Sequence, residues 1–140
     1  MNDNDFSAAV SERRFGGIAR LYGADALNRF AAAHVCVVGV GGVGSWAVEA
    51  LARSGIGALT LIDLDNVAES NVNRQLHALT CDFGKAKVTA LHERILQINP
   101  ACRVTEIEDF VTEDNLPVLF NQHFDFVIDA IDQMRVKAAM

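Results

Sequence analysis

A glycine-rich segment at the end of a continuous apolar run most constrains how this chain can fold. Residues 35–40 read VCVVGV, a β-branched run without alternation, which is typical of a strand buried on both faces. Gly39, Gly41 and Gly44 form the pattern Gly-x-Gly-x-x-Gly, with Gly42 as a further glycine inside it. Glycines between a strand and a helix let backbone N–H groups approach phosphate oxygens. The segment therefore predicts a phosphate-binding turn, although tight strand-to-helix packing alone could require the same glycines.

The rest of the chain alternates between helical and strand patterns. Apolar positions recur every three or four residues in the predicted helices and form continuous or alternating runs in the predicted strands. Short helical crossovers between parallel strands build doubly wound sheets. The sequence therefore predicts an α/β fold, a Rossmann-like doubly wound and mainly parallel sheet with helices on both faces. The predicted elements are strands at 35–40, 58–63, 103–108 and 124–129, and helices at 43–54, 87–98 and 112–120.

Three segments depart from this alternation. Residues 1–33 are expected to form a partly helical N-terminal arm, and residues 34–140 the Rossmann-like nucleotide-binding domain. Residues 64–84 contain few strong apolar positions, so we expect a functional loop with one short helix. A last helix begins at Ile131, but its apolar pattern runs to Met140 without a C-cap. The domain is therefore expected to be the truncated N-terminal part of a longer protein.

Charge and cysteine content narrow the class of protein. Twelve Lys and Arg against 18 Asp and Glu give a formal charge of -6, which supplies no overall attraction for DNA, RNA or an anionic membrane. The three cysteines are widely spaced, which predicts neither a disulfide framework nor a zinc site and suits a reducing cytoplasm. Residues 30–48 lack formal charges and are long enough to span a membrane. Their four glycines favour a strand, a turn and a helix instead, and no secretory signal precedes them.

An acidic residue ends the second predicted strand. Asp63 follows the last glycine of the turn at a distance where a carboxylate can accept hydrogen bonds from a ribose hydroxyl. Either Asp63 or Asp65 could instead cap the following loop, and Asp65 is the more structural candidate of the two. A ribose-binding acid fits both ATP and NAD, so these features leave the two ligands unresolved.

The loop that follows distinguishes between the two nucleotides. It contains Ser70, Asn71, Arg74 and Gln75, and Lys87 opens the next helix. A triphosphate and a pyrophosphate leaving group require a forked guanidinium, an ammonium group and amide donors, whereas a dinucleotide dehydrogenase does not. A single basic residue is by default a solvated surface charge. We expect Arg74 and Lys87 to lie outside the core, so that replacing either with alanine weakens Mg-ATP binding and leaves folding nearly unchanged.

Two carboxylates end the last predicted strand. Asp129 and Asp132 lie where open parallel sheets bind ligands, at the carboxyl ends of the strands. Asp132 is the better candidate for holding Mg²⁺ against substrate phosphates, since Mg²⁺ prefers one or two carboxylates together with waters and phosphate oxygens. Asp129 could instead cap the next helix or hydrogen-bond the backbone. The four histidines show no metal-ligand spacing and, like Trp46 and Tyr22, are expected to be packing or surface residues.

Four motifs occur in the order and spacing of a known superfamily. The segments GVGGVG, DLDNVAESNVNRQ, GKAK and DAID resemble motifs of the ubiquitin-activating-type adenylyltransferases, which include those of molybdopterin and thiazole biosynthesis. The resemblance covers residues 14–137. Three stretches, RFGGIARLYG, GGVGSWAVEALARSGIG and VIDAIDQMRVKAA, are most similar to the dehydratase family that acts on threonylcarbamoyladenosine in tRNA.

The resemblance implies a role for each matching residue of an ATP site. Gly42 matches the glycine that meets the nucleotide phosphates, and Asp63 matches the ribose-binding acid. Arg74 and Lys87 match the phosphate-binding pair, and Asp132 matches the acid linked to Mg²⁺. Residues 34–140 are accordingly expected to form an ATP-binding domain that uses ATP and Mg²⁺.

The resemblance also implies partners. Residues 70–75 match the family's loop around the phosphates. Arg14 matches an arginine that reaches into the active site of the partner protomer, which implies a homodimer with shared sites. Many members carry a later cysteine for thioester or persulfide chemistry, and residues 1–140 contain no such segment. Cys36 and Cys102 are expected to be inert thiols, whereas Cys81, in a loop, stays open.

The implied chemistry is activation of a carboxylate as an acyl adenylate, with release of pyrophosphate. In the dehydratase family, the threonyl carboxylate of the modified adenosine is activated and then closed by its own carbamoyl nitrogen, with net loss of water. Other members adenylate the C-terminus of a ubiquitin-like sulfur-carrier protein. An NAD(P)-binding oxidoreductase domain and a non-enzymatic scaffold remain as alternatives from other classes. Substrate contacts, including any tRNA-binding surface, are expected mostly beyond Met140.

Overall fold

A computed structural model describes residues 3–132, with side chains from residue 10 onward. The predicted helix that begins at Ile131 lies almost entirely outside the described residues. The helices and strands follow in the order α1 (Asp3–Tyr22), α2 (Ala24–Ala32), β1 (His34–Val38), α3 (Gly44–Arg53), β2 (Ala58–Ile62), α4 (Lys87–Ile98), β3 (Arg103–Ile107), α5 (Leu116–Leu119) and β4 (Phe126–Asp129).

The four strands form one parallel sheet in the order β3-β2-β1-β4. From β1 the chain adds β2 and β3 on one side, and it then crosses over to add β4 on the other side of β1. The connections on the two sides of β1 therefore run in opposite directions. Such a switch point leaves a crevice at the carboxyl ends of the strands, where ligands bind in doubly wound sheets. The predicted Rossmann-like architecture is confirmed.

The sheet is buried on both faces because alternate residues of its central strands enter two different apolar clusters. Val35 and Val37 of β1 pack with α3 and α4, whereas Cys36 and Val38 pack with α5 and the segment before it. The continuous apolar run in β1 follows from this double burial, since neither of its faces meets water. The same packing buries the carboxyl ends of β1 and β2 beneath the crevice.

Two predicted elements differ in the structure. The helix predicted at 112–120 is regular only over α5, because Thr112 and Asn115 exchange backbone-to-side-chain hydrogen bonds of 2.8 and 3.3 Å in a turn before it. Pro117, which lacks an N–H, fits the first turn of α5. The loop at 64–84 contains two short 3₁₀ turns, Glu69–Asn71 and Thr80–Asp82, instead of one helix.

The uncharged segment at residues 30–48 shows why length alone does not define a membrane span. It comprises the end of α2, the strand β1, the glycine turn and the start of α3. No helix within residues 3–132 is long and apolar enough to cross a membrane.

Candidate functional site

A cleft of about 510 Å³ opens at the carboxyl ends of β1, β2 and β4. Its walls come from the glycine turn, the end of β2, the loop before α4, the start of α4, residues 109–111 after β3 and the segment after β4. Most of the residues predicted to bind a nucleotide line this cleft. They are Gly39, Gly41, Gly42, Asp63, Arg74, Gln75, Lys87 and Asp132.

The glycine turn requires glycine at two positions for steric reasons. Gly39 has φ +83°, and a Cβ there would lie 2.9 Å from Ile131 Cγ2, beside the end of β4. A Cβ on Gly44 would overlap the carbonyl oxygen of Gly39, so α3 could not begin this close to β1. The glycines therefore serve tight packing, and the same packing directs the N-terminus of α3 at the cleft.

Asp63 fixes the base of the cleft through two backbone contacts. Its Oδ2 accepts a hydrogen bond of 2.9 Å from Val40 N–H in the glycine turn, and its Oδ1 accepts one of 2.8 Å from Asp65 N–H. Each carboxylate oxygen can accept more than one hydrogen bond, so both retain capacity for a ribose hydroxyl. Asp63 thus ties the turn to β2 and still lines the cleft.

Lys87 is buried, and the expectation that it lies outside the core is wrong. Its side chain is 6% exposed, and its Nζ lies 3.1 Å from Asp65 Oδ2. The burial arises because the segment after β2 covers the start of α4, where Lys87 N–H donates to the Asp65 carbonyl at 3.0 Å. The Asp65 side chain thus pairs with Lys87, whereas the loop-capping role that the sequence favoured for Asp65 belongs to Asp63, whose Oδ1 accepts from Asp65 N–H. Lys87 is thus a buried cation at the cleft wall, and within the described part of the chain its ion pair is with Asp65.

Arg74 differs from Lys87 in being exposed at the mouth of the cleft. Its Nη1 donates to Asn73 Oδ1 at 2.8 Å and to the Ser70 carbonyl at 3.3 Å. Its aliphatic stem passes beside Gly42, where an added Cβ would lie 3.5 Å from Cγ and Cδ. Trp46 Nε1 donates to the Arg74 carbonyl at 3.0 Å, a contact from α3 that spacing in the sequence did not indicate.

Asn71 and Ser70 belong to the loop but do not line the cleft. Asn71 is buried, and its Oδ1 accepts a hydrogen bond of 2.9 Å from Ala68 N–H, which closes the 3₁₀ turn. Its carbonyl accepts from the N–H groups of both Arg74 and Gln75 at 3.2 and 2.9 Å. Asn71 therefore shapes the segment that carries the two cleft-lining side chains.

Gln75 and His77 form a buried pair behind the glycine turn. They are 7% and 3% exposed, and His77 Nε2 lies 3.1 Å from Gln75 Oε1. Burial, together with the charge of Lys87, lowers the pKa of His77 to about 4. The imidazole is therefore neutral at physiological pH. Sequence reasoning assigned His77 no role, and its only signal was its place two residues after Gln75.

The segments after β3 and β4 supply the remaining walls, and the two carboxylates predicted at this edge belong to the second of them. Asp132 is exposed at the cleft, and Asp129 Oδ1 accepts a hydrogen bond of 3.1 Å from Ile131 N–H. Asp129 thus begins the turn after β4, the structural alternative that the sequence left open for it. Asp132 is the carboxylate of the two that lines the cleft.

Arg14 lies away from the cleft of its own chain. Its Nη1 donates to the carbonyls of Gln97 and Ile98, at 3.3 and 3.0 Å, at the C-terminal end of α4. A second cavity of about 390 Å³ adjoins it, next to Arg53 and Arg94. A role for Arg14 at the active site thus requires a second protomer.

The cysteines lie outside the cleft. Burial raises the pKa of Cys36 to about 12 and that of Cys102 to about 11, so both are protonated and unreactive at neutral pH. Cys81 is exposed. The two buried thiols behave as the sequence predicted.

A parallel sheet whose glycine turn, strand-end carboxylate and two basic side chains meet at its carboxyl edge is typical of nucleotide-binding proteins. The model of the ThiF family matches residues 16–140, and this chain belongs to the ThiF family.

Relatives of known activity match most of the chain. It is 61% identical over 128 residues to the tRNA threonylcarbamoyladenosine dehydratase of Escherichia coli strain K12, covering 91% of this chain and 48% of that protein. It is 35% identical over 103 residues to the molybdopterin-synthase adenylyltransferase of the same strain, covering 74% and 41%. The chain therefore spans about half the length of the curated relatives it matches.

The fold matches a crystal structure with a bound nucleotide. The E. coli tRNA N6-threonylcarbamoyladenosine dehydratase in complex with ATP aligns with a TM-score of 0.90 and 61% identity, over 91% of this chain and 53% of that one. A crystal structure of the same dehydratase in complex with AMP aligns with a TM-score of 0.89 over 91% of this chain and 52% of that one.

Proposed function

We propose that this chain forms the nucleotide-binding part of an ATP-dependent enzyme that activates a carboxylate by adenylation. The observation that carries the proposal is the convergence of Lys87, Arg74 and Gln75 on the glycine turn. These three side chains supply an ammonium, a guanidinium and an amide, which are donors suited to a polyphosphate. A dinucleotide dehydrogenase would leave them without a function, so ATP is favoured over NAD(P).

In this proposal, different residues of the cleft bind different parts of ATP. The glycine turn and the N-terminus of α3 meet the phosphates, and Asp63 accepts hydrogen bonds from the ribose. Lys87 and Arg74 stabilise charge on the α-phosphate and on departing pyrophosphate. No protein nucleophile is needed, because the substrate carboxylate oxygen attacks the α-phosphorus while the bond to pyrophosphate breaks. Catalysis then consists of positioning and charge stabilisation.

Mg²⁺ fits this cleft as a companion of ATP. Asp132 offers an exposed carboxylate beside the phosphate-binding groups, and Mg²⁺ prefers such a carboxylate together with phosphate oxygens and water. Among residues 3–132, no group of three or more His, Cys, Asp and Glu side chains could hold a metal without the nucleotide. When bound, Mg²⁺ would neutralise phosphate charge, and Asp132 would hold it in place.

The acyl substrate that we propose is the threonyl carboxylate of threonylcarbamoyladenosine in tRNA. Support comes from the 61% identity to the E. coli dehydratase, whose name states this substrate, and from the alignment with its ATP complex. After adenylation, the carbamoyl nitrogen attacks the acyl carbon and releases its proton, while AMP leaves with one carboxylate oxygen. The net result is ring closure with loss of water.

A second candidate is adenylation of the C-terminus of a ubiquitin-like sulfur-carrier protein. The 35% identity to the molybdopterin-synthase adenylyltransferase favours the same first step with a different carboxylate. Both reactions begin with pyrophosphate release, so they differ in which carboxylate stimulates it.

A homodimer would complete the site that we propose. Arg14 is held at the C-terminal end of α4, remote from its own cleft, and a symmetric partner could receive it. Mixing Arg14→Ala protein with Lys87→Met protein should then restore part of the activity, because one of the two shared sites would be intact. A cytoplasmic location is consistent with a tRNA substrate, ATP and unpaired cysteines.

The test of the reaction uses the whole protein with ATP labelled at the α-phosphate. We expect pyrophosphate and AMP to form when tRNA carrying threonylcarbamoyladenosine is present, and not with the same tRNA lacking that modification. Stimulation by a sulfur-carrier protein and not by tRNA would instead establish the second candidate. Absence of both activities, with no binding of ATP, would contradict the proposed function.

A further inference from the structure

The side-chain amide of Gln75 lies between His77 and the cleft. Gln75 Oε1 faces His77 Nε2 at 3.1 Å, and a Cβ on Gly41 would lie 3.5 Å from Gln75 Nε2. The amide thus spans from a buried imidazole on one side to the glycine turn on the other. Gln75 also lines the cleft, whereas His77 does not.

The hydrogen bond between His77 and Gln75 defines which nitrogen of the imidazole ring carries the proton. Gln75 Oε1 can only accept, so His77 Nε2 must donate and carries the ring proton. The other ring nitrogen, Nδ1, is buried and has no hydrogen-bond partner among residues 3–132. An unprotonated Nδ1 fits this position, because an N–H there would be buried without an acceptor, both in the imidazolium and in the neutral tautomer protonated at Nδ1.

We propose that His77 is a positioning residue for nucleotide binding: its Nε2–H holds the Gln75 amide with the NH₂ group toward the glycine turn, where it donates to a phosphate oxygen. This inference rests on the proposed ATP site and assigns a task to a residue that does not touch the nucleotide. The Gln75 NH₂ group suits this ligand, since a phosphate oxygen only accepts hydrogen bonds.

The alternative orientation of the amide explains why a positioning residue is needed. The O and NH₂ groups of an amide have nearly the same shape, so packing alone does not select between the two orientations. The flipped amide would present Oε1 to the phosphates, where two acceptors would repel each other. The donor on His77 removes this orientation, because Gln75 NH₂ facing His77 Nε2–H would oppose two donors.

Two features keep the donor in place. His77 is buried, with its ring fixed behind the loop, so the selected orientation persists before the nucleotide arrives. The neighbouring charge of Lys87 favours the neutral imidazole, which bears a single ring proton. Asp63 and Asp82 act in the opposite sense, but burial is the largest influence and also favours the neutral form.

The test compares two variants of His77. His77→Phe keeps a ring but removes the donor, and we expect the Kd for Mg-ATP to rise about tenfold, as expected for losing one buried hydrogen bond. His77→Gln places an amide donor near the position of Nε2, and we expect its Kd to stay within about threefold of the wild type. His123→Phe is the matched control, because His123 is exposed and does not line the cleft.

A double-variant cycle separates positioning from general loss of structure. In a Gln75→Leu background, His77→Phe should change the Kd by less than about twofold, since the amide that His77 orients is gone. An equal loss in both backgrounds, or an unchanged Kd in His77→Phe alone, would overturn the proposal. Circular dichroism of each variant identifies any that fails to fold, and His77→Gln then carries the comparison with Gln75→Leu.

The site of protonation on His77, measured before nucleotide is added, distinguishes this inference from the proposed function. Nitrogen-15 spectra of the wild type should show His77 protonated at Nε2 and unprotonated at Nδ1, and addition of Mg-ATP should shift the Gln75 NH₂ resonances. Protonation at Nδ1 would overturn the positioning role even if ATP binds. Protonation at Nε2 without any binding of Mg-ATP would instead reject the proposed function, and with it the phosphate as the partner of Gln75.

Discussion

Lys87 Nζ and Asp65 Oδ2 lie 3.1 Å apart in an ion pair that is buried at one end and exposed at the other. The lysine side chain is 6% exposed, whereas that of the aspartate is 58% exposed. Asp65 can therefore turn toward solvent when a phosphate arrives, while Lys87 stays at the cleft wall. The ion pair would keep the Lys87 ammonium group at the cleft wall and available to a nucleotide, because its interaction with the exposed Asp65 is weak and screened by solvent.

Removing the Lys87 charge should slow the adenylation step. Lys87→Met keeps the aliphatic stem in its buried position, and we expect a loss of about 3 kcal/mol in transition-state stabilisation, or roughly a hundredfold in rate. Lys85→Met is the matched control, because Lys85 pairs with Asp82 and Glu93 and does not line the cleft. Equal rates in the two variants, measured as pyrophosphate release, would contradict the role of Lys87.

Arg74 should affect the nucleotide without affecting the fold. Its guanidinium is exposed and contacts only its own loop among residues 3–132, so Arg74→Ala should change the free energy of unfolding by less than about 0.5 kcal/mol. The stabilisation by Mg-ATP should nevertheless fall, since the guanidinium can no longer bind phosphate. Thermal melts with and without Mg-ATP measure both quantities. A lower melting temperature without nucleotide would show instead that Arg74 stabilises the fold.

Alanine substitutions at two glycines of the turn should differ in their effect on stability. Gly44→Ala places a Cβ against the carbonyl oxygen of Gly39, and we expect it to lower the free energy of unfolding by more than about 2 kcal/mol. Gly42→Ala meets only the flexible stem of Arg74, at 3.5 Å, so its stability should be close to that of the wild type. Chemical denaturation tests this ranking, and the reverse order of stability would refute it.

Stability should fall on acidification because His77 is buried in its neutral form. Its pKa is about 4 in the folded protein against 6.5 for an unperturbed histidine, so between these values the unfolded chain binds more protons. The free energy of unfolding should therefore decrease from pH 6.5 toward pH 4, by about 3 kcal/mol over the full window. His77→Gln should remove this part of the pH slope, and Glu49, whose pKa is lowered by Arg94, titrates in both proteins. Equal slopes would contradict the assignment.

The sequence predicted the sheet and most of the cleft because both depend on local patterns. The continuous apolar run of β1 and the glycines after it arise from double burial and close packing, which periodicity and composition express directly. The limits of α4 were predicted for the same reason, since Asn99 precedes Pro100. The shortened α5 was not, because side chains of Thr112 and Asn115 compete for the backbone.

Long-range contacts within the cleft could not be predicted from spacing. The burial of Lys87 depends on Asp65, 22 residues away, and the role of His77 depends on the direction of the Gln75 amide. Neither follows from a period of two or of 3.6 residues. Trp46 likewise acquires a partner, the Arg74 carbonyl, only when α3 and the loop meet.

The most direct test of the central claim is calorimetric titration of this chain with Mg-ATP and, separately, with NAD. We predict that Mg-ATP binds and NAD does not, and that Lys87→Met weakens the binding of Mg-ATP while Lys85→Met leaves it unchanged. Binding of NAD without binding of Mg-ATP would contradict the assignment of the cleft as an ATP site.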